Sequence, residues 1–146
     1  MAVTADDFWE LMGRIDHEAL ERGDEDAAAE PLVATLGART EQDIFAFEEH
    51  LAQALYALDG RKYADESGES RGSDDAFLYA RCYVVGCGKA RYEAVLAEPS
   101  LMPKTTDGWF EALLGVAEKA FKQRGGDEWT FVPSVSHETG SNEEMW

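Results

Sequence analysis

Apolar residues recur every three to four positions through much of this chain, the spacing that gives a helix one oily face. Phe8, Leu11, Met12, Ile15 and Ala19 form the first such stripe. It follows Thr4-x-x-Asp7, a hydroxyl and an acid placed to satisfy the free amides of a helix start, so a helix is predicted from about Ala5 to Arg22, closed by Gly23. Asp24 to Ala38 is Ala-rich and helix-prone. Pro31 lacks an amide hydrogen and crowds the preceding turn, so this segment is expected either to kink or to be helical only beyond Glu30. Thr40-x-x-Asp43 repeats the cap, and Ile44, Phe47, Leu51, Leu55 and Leu58 make the cleanest stripe in the chain, ending near Asp59-Gly60.

The stretch from Gly60 to Gly72 is rich in Asp, Glu, Ser and Gly and reads as an exposed, mobile loop. Ser73, Asp74 and Asp75 open the next helix, with Phe77, Ala80, Arg81, Val84 and Val85 on its buried side and Gly86 and Gly88 loosening its end. Lys89 to Glu98 is a short helix stopped by Pro99, and Asp107 is expected to cap a last one carrying Trp109, Phe110, Leu113, Leu114, Ala117 and Phe121. Trp129 to Val132 could be a short extended piece inside an otherwise polar, acidic end. No internal repeat, sustained heptad or strand–helix alternation appears. The pattern predicts an all-α fold: an irregular bundle of five to seven helices, with one domain over 1–125 and a flexible acidic tail over 126–146.

Charge narrows the function classes. Among 146 residues, 13 Lys and Arg face 30 Asp and Glu, a formal charge of -17 that repels phosphate backbones and anionic headgroups. Direct nucleic-acid binding is disfavoured, leaving plain solubility, salt adaptation or a basic protein partner. No apolar run reaches the roughly 20 residues of a membrane helix, and Met1 to Glu10 is acidic, so a cytoplasmic protein with no membrane association is expected. Cys82 and Cys87, five apart, make no disulfide framework and are expected as reduced, partly buried thiols.

One block carries a family resemblance. Phe8-Trp9 with Leu11-Met12, Phe47, and above all Ser73-Asp74-Asp75-x-Phe77 followed by Arg81, Tyr83, Gly88 and Tyr92 resemble the bacterial family called domain of unknown function 4240, over about the first 125 residues. The resemblance implies a compact, mainly helical bacterial domain and brings no established activity, substrate or partner. Between Leu58 and Gly72 the chain departs from the family pattern, which carries tryptophans and a small Gly-Cys turn there; Leu58, Arg61 and Gly72 stand instead.

The residues that could carry chemistry are few. Arg81 lies two turns along nearly the same helix face as Asp74, so an Arg fork facing two acids could hold a polar ligand; the plainer reading is that Ser73 caps, the acids complement the helix dipole and Arg81 pairs with an acid of a neighbouring helix to close the bundle. His17, His50 and His137 are scattered without the carboxylate spacing of a metal site, so no metal or cofactor is implied. Cys87 has plausible backbone access but no local base, and phosphate-loop and dinucleotide fingerprints are absent. Trp9 and Trp109 sit on helical stripes and read as core before cleft. The leading expectation is a non-catalytic interaction or accessory protein whose acidic surface meets a basic protein. The alternative is a small-molecule-binding or hydrolytic domain with Trp9, Ser73, Asp74, Asp75, Arg81 and Tyr83 around a pocket, and a third is a small self-associating protein.

Overall fold

A computed structural model describes residues 3–146 and shows helices and turns, with no strand among the described residues. In chain order the α-helices are α1 (Ala5–Met12), α2 (His17–Glu21), α3 (Glu25–Gly37), α4 (Glu41–Ala57), α5 (Arg61–Ala64), α6 (Asp74–Gly86), α7 (Lys89–Ala97) and α8 (Val116–Gln123). Short 3-10 turns occupy Gly68–Gly72, Pro99–Leu101, Glu111–Gly115 and Glu143–Met145. α2 and α5 are single turns of 5 and 4 residues, and the other six helices form the body of the irregular bundle.

Caps set most of the starts. Thr4 and Asp7 make the reciprocal pair expected at α1, and the Thr40 and Ser73 hydroxyls accept from the Asp43 and Ala76 amides. The first predicted helix is broken, because Asp16 turns its carboxylate to the Ala19 amide and starts α2, while its own amide donates to the Ala28 carbonyl. The break lets Ile15, Ala19 and Leu20 pack with Ala28 and Leu32 in one core. α3 runs unbroken through Pro31, and the Thr35 hydroxyl donates to the Pro31 carbonyl at 2.8 Å. Asp107 does not cap the last helix: Trp109 and Phe110 precede a 3-10 turn, and α8 starts only at Val116. The Phe110 amide is taken by the Tyr79 carbonyl of α6, which holds this stretch out of helical register.

α4 and α6 pack against each other, α4 also against α8 and α3, and α6 also against α7. Phe8, Phe47, Phe77, Phe110, Met12 and Leu55 are among the fully buried side chains of a single core. Gly86, expected to loosen α6, instead admits a ring: a Cβ there would lie 2.6 Å from Phe110.

Two expectations are corrected. The stretch 60–72 is not an exposed loop, since it contains α5 and a 3-10 turn and buries Gly60, Tyr63, Ala64, Ser67 and Ser70. Its polar groups are answered locally: the Ser67 hydroxyl donates to the Ala64 carbonyl, and Ser70 receives the Trp109 indole N–H at 2.8 Å. The C-terminal segment does not trail loosely either. From Trp129 to Thr139 odd-numbered residues are half-buried and even-numbered ones exposed, the two-residue period of an extended chain lying on a surface. Trp129 and Phe131 pack on Phe45, the latter stacked at 4.9 Å, and Ser134 is held by the Glu49 carboxylate. The extended piece has no ladder partner and is not a strand.

Candidate functional site

The Ser73–Arg81 block occupies the first two turns of α6, and the bundle sets its two ends in different environments. Ser73, Asp74 and Asp75 are exposed, whereas Arg81 has 0% of its surface in contact with solvent. The Arg81 Nη1 donates to the Leu55 carbonyl at 3.0 Å, Nη2 donates to the Thr139 hydroxyl at 2.9 Å, and the guanidinium lies 4.7 Å from the Phe77 ring centre. Its Nε has no partner. Burial pulls the guanidinium pKa down, and Asp59 is the strongest of the groups that oppose the shift.

Thr139 links the two ends of the block. Its hydroxyl accepts from Arg81 and donates to the Asp74 backbone carbonyl at 2.7 Å, so Asp74 contributes its main chain here rather than its carboxylate. Beside it Asp59, fully buried at the C-terminal end of α4, accepts from the Gly140 and Asn142 amides and from the Trp146 indole at 2.9–3.0 Å. Asn142 donates to the Tyr56 carbonyl, and Trp146 meets Phe77 edge-on at 6.0 Å. The C-terminal segment thus covers the face of α6 on which the block was expected to open. Sequence reasoning missed Asp59 and Thr139. The signal available for Asp59 was an acid immediately after the clean apolar stripe of α4, and nothing local marked Thr139.

Trp9 and Tyr83 lie elsewhere. Trp9 packs edge-on against Phe8 and at 5.1 Å from Tyr92 of α7, tying α1 to α7. Tyr83, two residues beyond Arg81, lines a groove of 560 Å³ bounded by the end of α2, by α6 and α7, and by the segment from Pro103 to Trp109. None of Trp9, Ser73, Asp74, Asp75 or Arg81 lines that groove. The Tyr83 hydroxyl donates to Glu21 Oε1 at 3.1 Å, and burial first, then Cys87 and Glu21, push the phenol pKa up.

The chain belongs to the DUF4240 family. The family model, described as a protein of unknown function, matches residues 3–123 and so contains the whole Ser73–Arg81 block but not Thr139. No curated protein matches the chain, and no solved structure does. In this DUF4240 domain the thiols are unpaired; Cys82 is buried and Cys87 half-buried, and burial raises both above the usual thiol range, the opposite of an activated nucleophile. Among the described residues no group of three or more His, Cys, Asp or Glu is placed to hold a metal ion, and no helix is long and apolar enough to cross a membrane.

Proposed function

We propose that this DUF4240 domain is a non-catalytic cytoplasmic interaction protein whose acidic surface engages a basic protein partner. The observation that carries the reading is the stretch from α1 to the middle of α3. Asp6, Glu10, Asp16, Glu18, Glu21, Asp24, Asp26 and Glu30 are all exposed there, against Arg14 and Arg22 as its arginines and no lysine. Across the described residues the only Lys or Arg ion pairs are Arg39–Asp43, Arg71–Asp65, Lys104–Glu66 and Lys122–Glu118, so most of the 30 carboxylates have no cationic partner. A surface of one sign repels its own copies and accelerates encounter with the opposite sign, and the acceleration fades as salt rises.

The alternative, a ligand or hydrolytic pocket built on Ser73, Asp74, Asp75 and Arg81, requires Thr139 to leave the guanidinium. The test is salt-dependent capture of a stoichiometric basic protein by the full chain, followed by binding of that purified protein to a Glu18→Lys, Asp26→Lys, Glu30→Lys variant. At least a tenfold loss, on the order expected for steering by close charges, supports the acidic face. Equal binding by the variant, or a partner that is not basic, removes it.

A further inference from the structure

The groove beside Tyr83 brings cations, carboxylates, hydroxyls and aromatic rings together. Arg22 at the end of α2 and Arg91 of α7 line it, and, like most Lys and Arg of the chain, neither has a carboxylate within 4.0 Å among the described residues. Lys104 joins them, donating to the Glu66 carbonyl at 2.6 Å and to the Glu66 carboxylate at 3.2 Å.

One wall is rigid before any ligand arrives. The Glu69 amide donates to the Lys104 carbonyl, the Thr106 amide donates to Glu69 Oε1, and the Trp109 indole is anchored on buried Ser70. Gly108 is buried so tightly on Pro103 that no side chain fits there. The segment 60–72 is the brace for that wall. Carboxylates line the groove with the cations: Glu21, one oxygen of which takes the Tyr83 hydroxyl, Glu25, which takes the Ala112 amide, and Asp107. Thr105 and Thr106 add hydroxyls, and Trp109 and Tyr83 add aromatic surface.

From this combination we infer that the groove binds a sugar phosphate. The unpaired arginines and Lys104 receive the phosphate, Glu21 and the threonines answer the hydroxyls of the sugar, and the aromatic rings cover its apolar C–H face. Each part of the groove selects against something simpler. Inorganic phosphate leaves the carboxylates and rings unused, and a neutral sugar leaves the arginines unused. The volume lies within the range of roughly 300–1,000 Å³ typical of small-molecule sites.

The test is calorimetric titration of the full chain with a panel of hexose and pentose phosphates, with inorganic phosphate, and with glucose. The expected result is saturable binding of at least one sugar phosphate, at least tenfold tighter than inorganic phosphate or glucose. Arg91→Ala and Arg22→Ala, both at exposed positions, should each weaken it about tenfold, the scale of one lost charge-assisted hydrogen bond. Three results overturn the inference: no sugar phosphate in the panel binds, inorganic phosphate binds as tightly as the esters, or the arginine variants bind unchanged. Lysine substitutions on Glu18, Asp26 and Glu30 should leave this binding intact, which separates it from the protein-partner reading.

Discussion

Arg81 and Tyr83 stand two residues apart on α6, about 200° around the helix, and their surroundings differ as much as their directions. On the Arg81 side the C-terminal segment closes over the helix, bringing Thr139 to the guanidinium and three N–H groups to Asp59. On the Tyr83 side the end of α2, α7 and the segment from Pro103 to Trp109 stand around the helix and leave a groove between them. Arg81 and Asp59 are buried charges whose hydrogen bonds tie distant parts of the chain together. Arg22, Arg91 and Lys104 are exposed charges around a cavity. The lesson is that a motif rich in polar residues need not be the site. What decides is whether the rest of the chain has already used its donors and acceptors.

The largest effect that would break this contrast is at Arg81. Arg81→Ala leaves the Leu55 carbonyl and Asp59 without their positive neighbour and opens a cavity, and should cost about 3–5 kcal/mol in urea unfolding. Arg81→Lys should recover only part of it, because an ammonium cannot reproduce the fork that spans Leu55 and Thr139. A loss below about 1 kcal/mol, the scale of an exposed contact, would mean that the sealed side is not sealed.

Next is Thr139→Val, which keeps the shape and removes the hydroxyl that bridges Arg81 to the Asp74 carbonyl. It should cost about 1–3 kcal/mol and raise proteolytic cleavage between residues 126 and 138, while the groove on the other side of α6 keeps its binding. Cleavage at the wild-type rate would show that the segment is held by its aromatic contacts alone.

Glu48 offers a pH test of the same α4 surface. Half-buried and facing Glu118 of α8, its carboxyl is raised to about 7, by burial first and then by that acid. The folded state therefore holds a proton that the unfolded chain gives up near 4.5. Stability from this group is full below about pH 4.5 and lost as pH rises through about 7, at most about 3 kcal/mol. Glu48→Gln should flatten that decline in thermal melts taken from pH 5 to 8. Its neighbour Glu49 runs the other way, held low chiefly by the Ser134 hydroxyl, so its contribution is lost as pH falls through the carboxylate range.

The smallest effect belongs to the open side. Tyr83→Phe removes one hydrogen bond to exposed Glu21 and should change stability by less than about 1 kcal/mol. A larger loss would show that Tyr83 is part of the frame rather than the groove.

Helix starts were legible because caps are local: Thr4, Thr40 and Ser73 each satisfy amides three residues away. The apolar stripe of α4 and the buried side of α6 could be read for the same reason, since periodicity marks one face without reference to a partner. The break after Met12 was harder, because Asp16 works as a cap only once Ala28 is there to receive its amide. The block from Ser73 to Arg81 was correctly placed at the start of one helix. What its residues do was not readable, since Arg81 is answered by Leu55 and Thr139, 26 and 58 positions away.

The same division holds for the whole molecule. Composition and spacing by themselves determined an acidic, all-helical chain with one core and its main helix starts, and the residues around Ser73 to Tyr92 carried the family resemblance. Tertiary structure alone decided that the polar stretch 60–72 braces a groove wall, that the C-terminal segment covers the motif, and that Tyr83 rather than Arg81 borders open space. The physical reason is reach. Caps and periodicity act over a few residues and are written locally, whereas satisfying a buried charge or leaving a cavity depends on which distant segment arrives to fill it.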